Sequence, residues 1–351
     1  MKIKYLNFVK SAFISVGLAF VFIACDPKED SPSPVATGSV YVTCEGGFGA
    51  SNGSVSVYDP KTNKVNIDPF NAKNNRSLGD IVQSLTLIND LAYIVVNNSN
   101  KVEIADASTF ESKGVIEGVK LPRYLVKGSG NTAYLTEWVS FAGNGRVDVI
   151  DLSTNTLTKT IEVGLLPENL LLYGDKLFVS NSGDSTLTII NTATNVVSKT
   201  IKVGYSPTSI VKDANDKLWV ICGGYKNYTN LSLSKPGALV QIDPTTESVI
   251  KTFSFTNAAD SPEKLNINGS GNKLYYENGG VYSLEVSASS LPTQPLIARS
   301  FYGLGIDPNS ETIYAATMGF VSNQKLIRYN ASGVVLDSTE VGIGPNGFVF
   351  K

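Results

Sequence analysis

Beyond its first 25 residues the chain is written in short apolar runs of four to eight residues, rich in Val, Ile, Tyr and Thr, each bounded by Gly, Asn, Asp or Pro. Runs of that length and composition between turn residues predict β-strands. Long Ala/Leu/Glu/Lys stretches, the material of helices, are missing. The stretch from Leu166 to Gly204 shows the unit most clearly, with four strand patterns in a row: NLLLY, KLFVS, TLTII and VVSKTIKV. Its closing phrase KTIKVGYSPTS (199–209) repeats KTIEVGLLPEN (159–169).

An aromatic in the second strand of the unit recurs seven times: Tyr41, Tyr93, Tyr134, Phe178, Trp219, Tyr275 and Tyr314. A spacing of roughly forty to fifty-five residues is that of a four-stranded propeller blade with occasional insertions. A second register agrees with the first. After each third strand stands Asp59, Asp106, Asp151, Asn191, Asp243 or Asn330, and Val286 breaks the series in the sixth unit. A short Asx side chain accepts a hydrogen bond from the backbone two residues on and so closes a tight turn. These acids therefore read as turn formers and not as calcium ligands.

The last residues, GPNGFVFK, match a first strand with nothing after it, whereas the Tyr41 strand has no first strand before it. Pairing the two removes both open sheet edges. The expected fold is all-β: a seven-bladed β-propeller of four-stranded blades, closed by pairing of the N- and C-terminal strands.

Composition narrows the chemistry. The 351 residues contain no histidine, which removes the commonest general base, the histidine triads and the usual zinc ligand together. Net charge is −2 and no Lys/Arg cluster interleaves with aromatics, so a nucleic-acid partner is disfavoured. No metal set and no cofactor motif is present in the pattern. Cys44 and Cys222 end strand-like runs in distant blades and read as two half-buried thiols.

The segment 1–24 carries Lys2, Lys4 and Lys10 ahead of an apolar run too short to span a bilayer, and it ends in FIAC at Cys25. FIAC resembles a lipoprotein lipobox, with Phe22 where Leu is usual, which implies a lipidated Cys25; an ordinary secretory signal is the alternative. Residues 25–37, CDPKEDSPSPVAT, read as a flexible tether, leaving 38–351 for the propeller. KED (28–30) resembles the acidic export signal of surface lipoproteins of Bacteroidetes and so implies an outer-membrane, outward-facing location.

The repeat KLFVSNSGDSTLTIINTATNVVSKTIKVGYSPTSIV resembles the YVTN-type propeller repeat of surface-layer proteins and the YncE-like group. EGGFGASNGSVSVYDP and the stretch 74–109 look more narrowly like DUF5074-type lipoproteins of Bacteroidetes, a neighbourhood that includes a surface cobalamin-binding lipoprotein of the BtuG type. The repeat specifies a fold far better than a function.

One face of such a ring is expected to carry short turns (YGDK, DLST, NTAT) and the other long loops. Aromatic, Asn-rich loops on a rigid ring are where a ligand binds. Phe48, Trp138, Phe141, Tyr225, Tyr228 and Phe320 offer flat apolar contact. Asn52, Asn74, Arg76, Asn97, Asn98, Arg123, Glu168, Asn169, Asn181, Glu263, Asn278 and Asn346 offer hydrogen bonds around the axial mouth, where Thr208 and Ser209 also fall. Turn geometry and interblade packing compete for each of them, and Arg123 with Glu168 reads equally as a plain salt bridge.

Three functions fit these residues. The first is a surface lipoprotein that binds a small molecule and delivers it to a TonB-dependent transporter; the resemblance implies a corrinoid such as cobalamin as ligand. The second is a scaffold or adhesin for glycan or protein. The third, disfavoured by the missing histidine, is a lactonase-type enzyme working through Glu168 or Glu263.

Overall fold

The computed structural model describes residues 35–36, 38–258 and 260–351. The expected signal segment, the Cys25 lipidation site and most of the tether lie outside the described residues. Seven antiparallel sheets follow one another around a ring, and the inner strands are Pro345–Phe350, Val82–Ile88, Pro122–Lys127, Pro167–Tyr173, Pro207–Lys212, Glu263–Ile267 and Gly303–Ile306 for blades one to seven. Each inner strand contacts its two neighbours, and the cycle closes from blade seven through blade one. Blade one is assembled from both chain ends, with Val40–Cys44 paired to Pro345–Phe350.

Seven buried apolar clusters account for the ring, one at each blade interface. Each second strand buries its aromatic between blades; Tyr41, Phe178, Trp219 and Tyr275 are fully inaccessible. Complete burial of such a side chain contributes about 1.5–3 kcal/mol, so the periodic aromatic is the main adhesive of the repeat. Hydroxyls add interblade ties: Tyr93 donates to Asn155 Oδ1 at 3.1 Å and Tyr134 to Asn195 Oδ1 at 2.9 Å, reaching the outer turn of the next blade.

The six Asx turns form as expected. The side chains of Asp59, Asp106, Asp151, Asn191, Asp243 and Asn330 each accept from the backbone N–H two residues on, at 2.8–3.0 Å. Cys44 and Cys222 are free and buried, with thiols pushed up to about 11 and about 12 by burial, which leaves them unreactive.

Two details depart from the repeat. The crossover from blade one to blade two contains a short helix, Pro69–Asn74, which the strand pattern did not reveal. Asp68 caps its start by accepting from the Asn71 N–H, Pro69 fixes its first turn, and Phe70 plugs the interface between blades one and two. In blade six the sheet has three strands, and Ile297 bridges Val281 where a fourth strand would run. Val35 donates to the Ser108 carbonyl and Gly38 to the Lys351 carbonyl, so the chain enters the ring on the short-turn face.

Candidate functional site

Five of the seven inner strands start the same way. In blades two to five the residue before the strand takes a left-handed backbone: Ile81, Leu121, Leu166 and Ser206 have φ of 62°, 49°, 51° and 54°. Gly344 does the same in blade one, at 61°. For Ile and Leu this conformation costs about 1–2 kcal/mol per residue, so the fold must hold it in place. It does so by hydrogen bonds from the opening residue of each long loop: Asn97 N–H to Ile81, Trp138 to Leu121, Ser182 to Leu166, Gly223 to Ser206 and Glu45 to Gly344.

A β-bulge follows immediately in blades one to six. A bulge re-aims the side chains beside it, and here it turns polar residues towards the axis. The residues one place into the inner-strand phrase are Asn346, Gln83, Arg123, Glu168, Thr208, Glu263 and Tyr302, one from each blade.

These residues, with Glu45, Tyr124, Ser209 and Lys264, surround an axial cavity of about 220 Å³; Asn346 stands just behind its wall. Arg123 is its hub. Its guanidinium meets the Glu168 carboxylate through Nη2 at 3.0 Å and Nε at 3.1 Å, donates to Gln83 Oε1 at 2.5 Å, and lies 4.0 Å over the Trp138 ring. Burial pushes the Glu168 carboxyl above its ordinary value against the pull of Arg123. On the other side Glu45 accepts from the Tyr302 hydroxyl at 2.7 Å and from Asn346 Nδ2 at 2.8 Å. Burial, with Glu45 beside it, holds the Tyr302 phenol well above its ordinary value, so it stays a donor.

Two groups facing this cavity lack partners. The Thr208 hydroxyl is buried without a hydrogen bond. The Glu263 carboxyl makes no hydrogen bond or ion pair among the described residues, and burial pushes it up although Lys264 beside it pulls down. Buried polar groups in folded proteins are almost always satisfied, so the Thr208 hydroxyl points to a missing partner, and the half-buried Glu263 carboxyl beside it is open to the cavity.

Of the residues expected at the mouth, Arg123, Glu168 and Glu263 line the cavity and Asn346 backs it. Trp138 backs Arg123, and Phe320 packs edge-on against Tyr302 at 5.1 Å. Asn97 braces the frame by donating to the Pro122 carbonyl at 2.9 Å. Asn169 shares the inner strand, its N–H donating to Ser180 Oγ. Phe48, Phe141, Tyr225 and Tyr228 are 81%, 70%, 47% and 88% exposed on the long loops, as a contact rim requires.

The others are engaged elsewhere. Asn74 bonds the Phe70 and Phe110 carbonyls at the helix end, and Arg76 pairs with the fully buried Glu103 on the outer part of blade two. Both had been expected at the mouth because the crossover loop was; the helix carries them outward instead. Asn181 is wholly buried against Thr186 and Thr188, Asn52 closes its own loop on Gly47, Asn98 holds Asp80, and Asn278 caps Ser261. Arg76→Ala should therefore lower stability by about 1–3 kcal/mol, through the exposed demand of Glu103, while leaving any ligand affinity at the axis unchanged; thermal unfolding and titration on one sample check both.

Gln83, Tyr124, Lys264, Tyr302 and Glu45 were missed. Gln83 and Tyr302 follow Val82 and Phe301 where other blades have Pro, so the Pro-based phrase hid them. Glu45 stands four residues past Tyr41, as Asn97 and Trp138 stand past Tyr93 and Tyr134, and that offset was the available signal.

The family described as a domain of unknown function, DUF5074, matches residues 38–341, almost the whole ring. The chain belongs to the DUF5074 family. No curated protein matches this DUF5074 chain in sequence. Among solved structures it is similar to a quinonprotein alcohol dehydrogenase-like protein from Bacteroides thetaiotaomicron, with 14% identity and a TM-score of 0.69 over 91% of this chain and 79% of that one. A 6-phosphogluconolactonase-like protein from Bacteroides fragilis gives 14% identity and a TM-score of 0.63 over 92% and 99%. Hydrazine synthase of Kuenenia stuttgartiensis gives 16% and 0.58 over 74% and 85%. At such identities the likeness establishes the propeller fold of the DUF5074 protein alone.

Proposed function

We propose that the protein is a lipid-anchored, outward-facing outer-membrane protein that binds a small molecule at the axial mouth, without turning it over, and passes it to a TonB-dependent transporter. The observation that carries the binding reading is the buried, partnerless Thr208 Oγ1 beside the half-buried Glu263 carboxyl, at a cavity to which every blade contributes lining. A ligand group with N–H or O–H donors satisfies both.

A corrinoid suits this arrangement. Its amide side arms supply the donors, and a cavity of about 220 Å³ takes one arm while the macrocycle rests on the exposed Phe48, Phe141, Tyr225 and Tyr228 rim. The described chain enters the ring on the opposite face, where Val35 meets Ser108. The resemblance to surface lipoproteins supports the location and the transporter.

Calorimetric titration of cyanocobalamin into the purified protein tests the reading. Tight binding is expected, and Glu263→Gln should weaken it about tenfold, the worth of one charged hydrogen bond, while slightly raising the unfolding temperature because a partnerless carboxylate is removed. Micromolar or weaker affinity for every corrinoid tried sinks the corrinoid; turnover of sugar lactones lost in Glu168→Gln or Glu263→Gln would replace binding with an enzyme.

A further inference from the structure

Blade six abandons the repeat twice. Val286 takes the place of the Asx turn, and residues 286–301 replace the fourth strand, so the edge of Val281–Glu285 is paired only at Val281. That irregular segment bows away from the sheet and leaves a cleft of about 590 Å³ against the outer strand of blade five, Ser248–Ser254. This volume falls in the range of small-molecule sites, and the cleft shares no residue with the axial cavity.

The floor of the cleft is aromatic. Tyr276 stacks on Tyr282 at 5.5 Å and meets Phe255 edge-on at 5.7 Å. Tyr276 is completely buried, yet its hydroxyl has no hydrogen-bond partner. Burial pushes the phenol up, so the group is a donor seeking an acceptor. A buried tyrosine hydroxyl normally finds one.

The lips are hydroxylic, with Ser254 and Thr256 on one side and Ser289 and Ser290 on the other. Asp260 is the only charged residue of the lining, and no Lys or Arg is among the lining residues. A phosphate or carboxylate would enter with nothing to offset its lost hydration and with Asp260 opposing it. A ligand with an apolar ring face and hydroxyls that both donate and accept meets every group present: ring carbons against Phe255 and Tyr282, an acceptor for Tyr276, donors for Asp260.

We propose that the cleft between blades five and six is a second binding site, which takes a neutral saccharide unit. It stands independently of what the axial mouth binds.

The test uses N-acetylglucosamine, galactose, maltose and cellobiose titrated into the full-length detergent-solubilised protein, followed by saturation-transfer NMR and by tryptophan emission. The chain has two tryptophans, and Trp219 lies parallel to Phe253 at 6.2 Å beside the cleft, so its emission reports locally once Trp138→Phe has silenced the other, a background used for emission only while the axial titration keeps Trp138. Saturable binding of at least one sugar is expected. Tyr276→Phe should weaken it about tenfold, and Ser290→Trp, at an exposed lip and followed by saturation-transfer NMR alone because it adds a tryptophan, should abolish it with unfolding temperature and axial titration unchanged. Should Tyr276→Phe fail to fold, Ser290→Trp decides alone. Absence of saturable binding for all four sugars, binding that survives Ser290→Trp, or capture of an extended peptide in place of sugar each overturns the proposal.

Discussion

Arg123→Met is expected to destabilise the propeller by about 3–5 kcal/mol, because it strands a carboxylate in the axis. The Glu168 side chain is only 9% exposed and the Arg123 side chain 13%, so neither partner can turn to bulk water when the other is removed. Gln83 Oε1 loses its donor and the Trp138 ring its cation in the same step. The double variant Arg123→Met/Glu168→Leu should recover most of the loss, since an apolar pair of similar volume needs no compensating charge. Urea unfolding of the four members of this cycle at pH 7 measures the coupling. A coupling near zero would mean that water reaches the pair and that the hub is a surface contact.

The second large effect is a dependence on pH set in blade three. Glu137 and Asp148 are fully buried on adjacent strands, and Glu137 Oε1 and Asp148 Oδ2 are left without other hydrogen-bond partners. One proton between these two oxygens would satisfy both. Burial, reinforced by Asp148, raises the Glu137 carboxyl from 4.5 to about 9, although the Lys120 N–H and Arg146 pull it down. A carboxyl that holds its proton more tightly folded than unfolded contributes fully below pH 4.5, and that contribution is lost as the pH rises to about 9. Unfolding free energy should therefore decline across that window by at most about 1.4 kcal/mol per pH unit. Glu137→Gln, whose amide donates to Asp148 without a titrating proton, should flatten the decline and be the more stable protein at pH 8. Parallel slopes for the two proteins from chemical unfolding at several pH values would refute the shared proton.

Much of this architecture is legible because a propeller is a repeat whose parts act locally. Tyr41 to Tyr314 mark second strands since only an aromatic fills the gap between blades, and Asp59 to Asn330 mark turns since each bonds its own neighbours. Blade one closes as expected, as Tyr41 and Phe348 both need a sheet partner. The helix at Pro69–Asn74 escaped because six residues are too few to show a helical period, although Asp68 and Pro69 are a capping signal. That omission carried Asn74 and Arg76 to the wrong place.

The sequence by itself determined the number of blades, their register and the positions where the Pro-led inner strands begin, because hydrogen bonds within a blade and burial between blades are set by residues at fixed offsets. It also determined which residue type stands at each axial position. Only the tertiary structure decided which of them meet. Arg123 and Glu168 come from neighbouring blades, whereas Glu45, Tyr302 and Asn346 come from opposite ends of the chain. Which groups lack a partner, Thr208 and Glu263 at the axis and Tyr276 in the blade-six cleft, is a property of the closed ring, since a polar atom is unsatisfied only with respect to everything that has been packed around it.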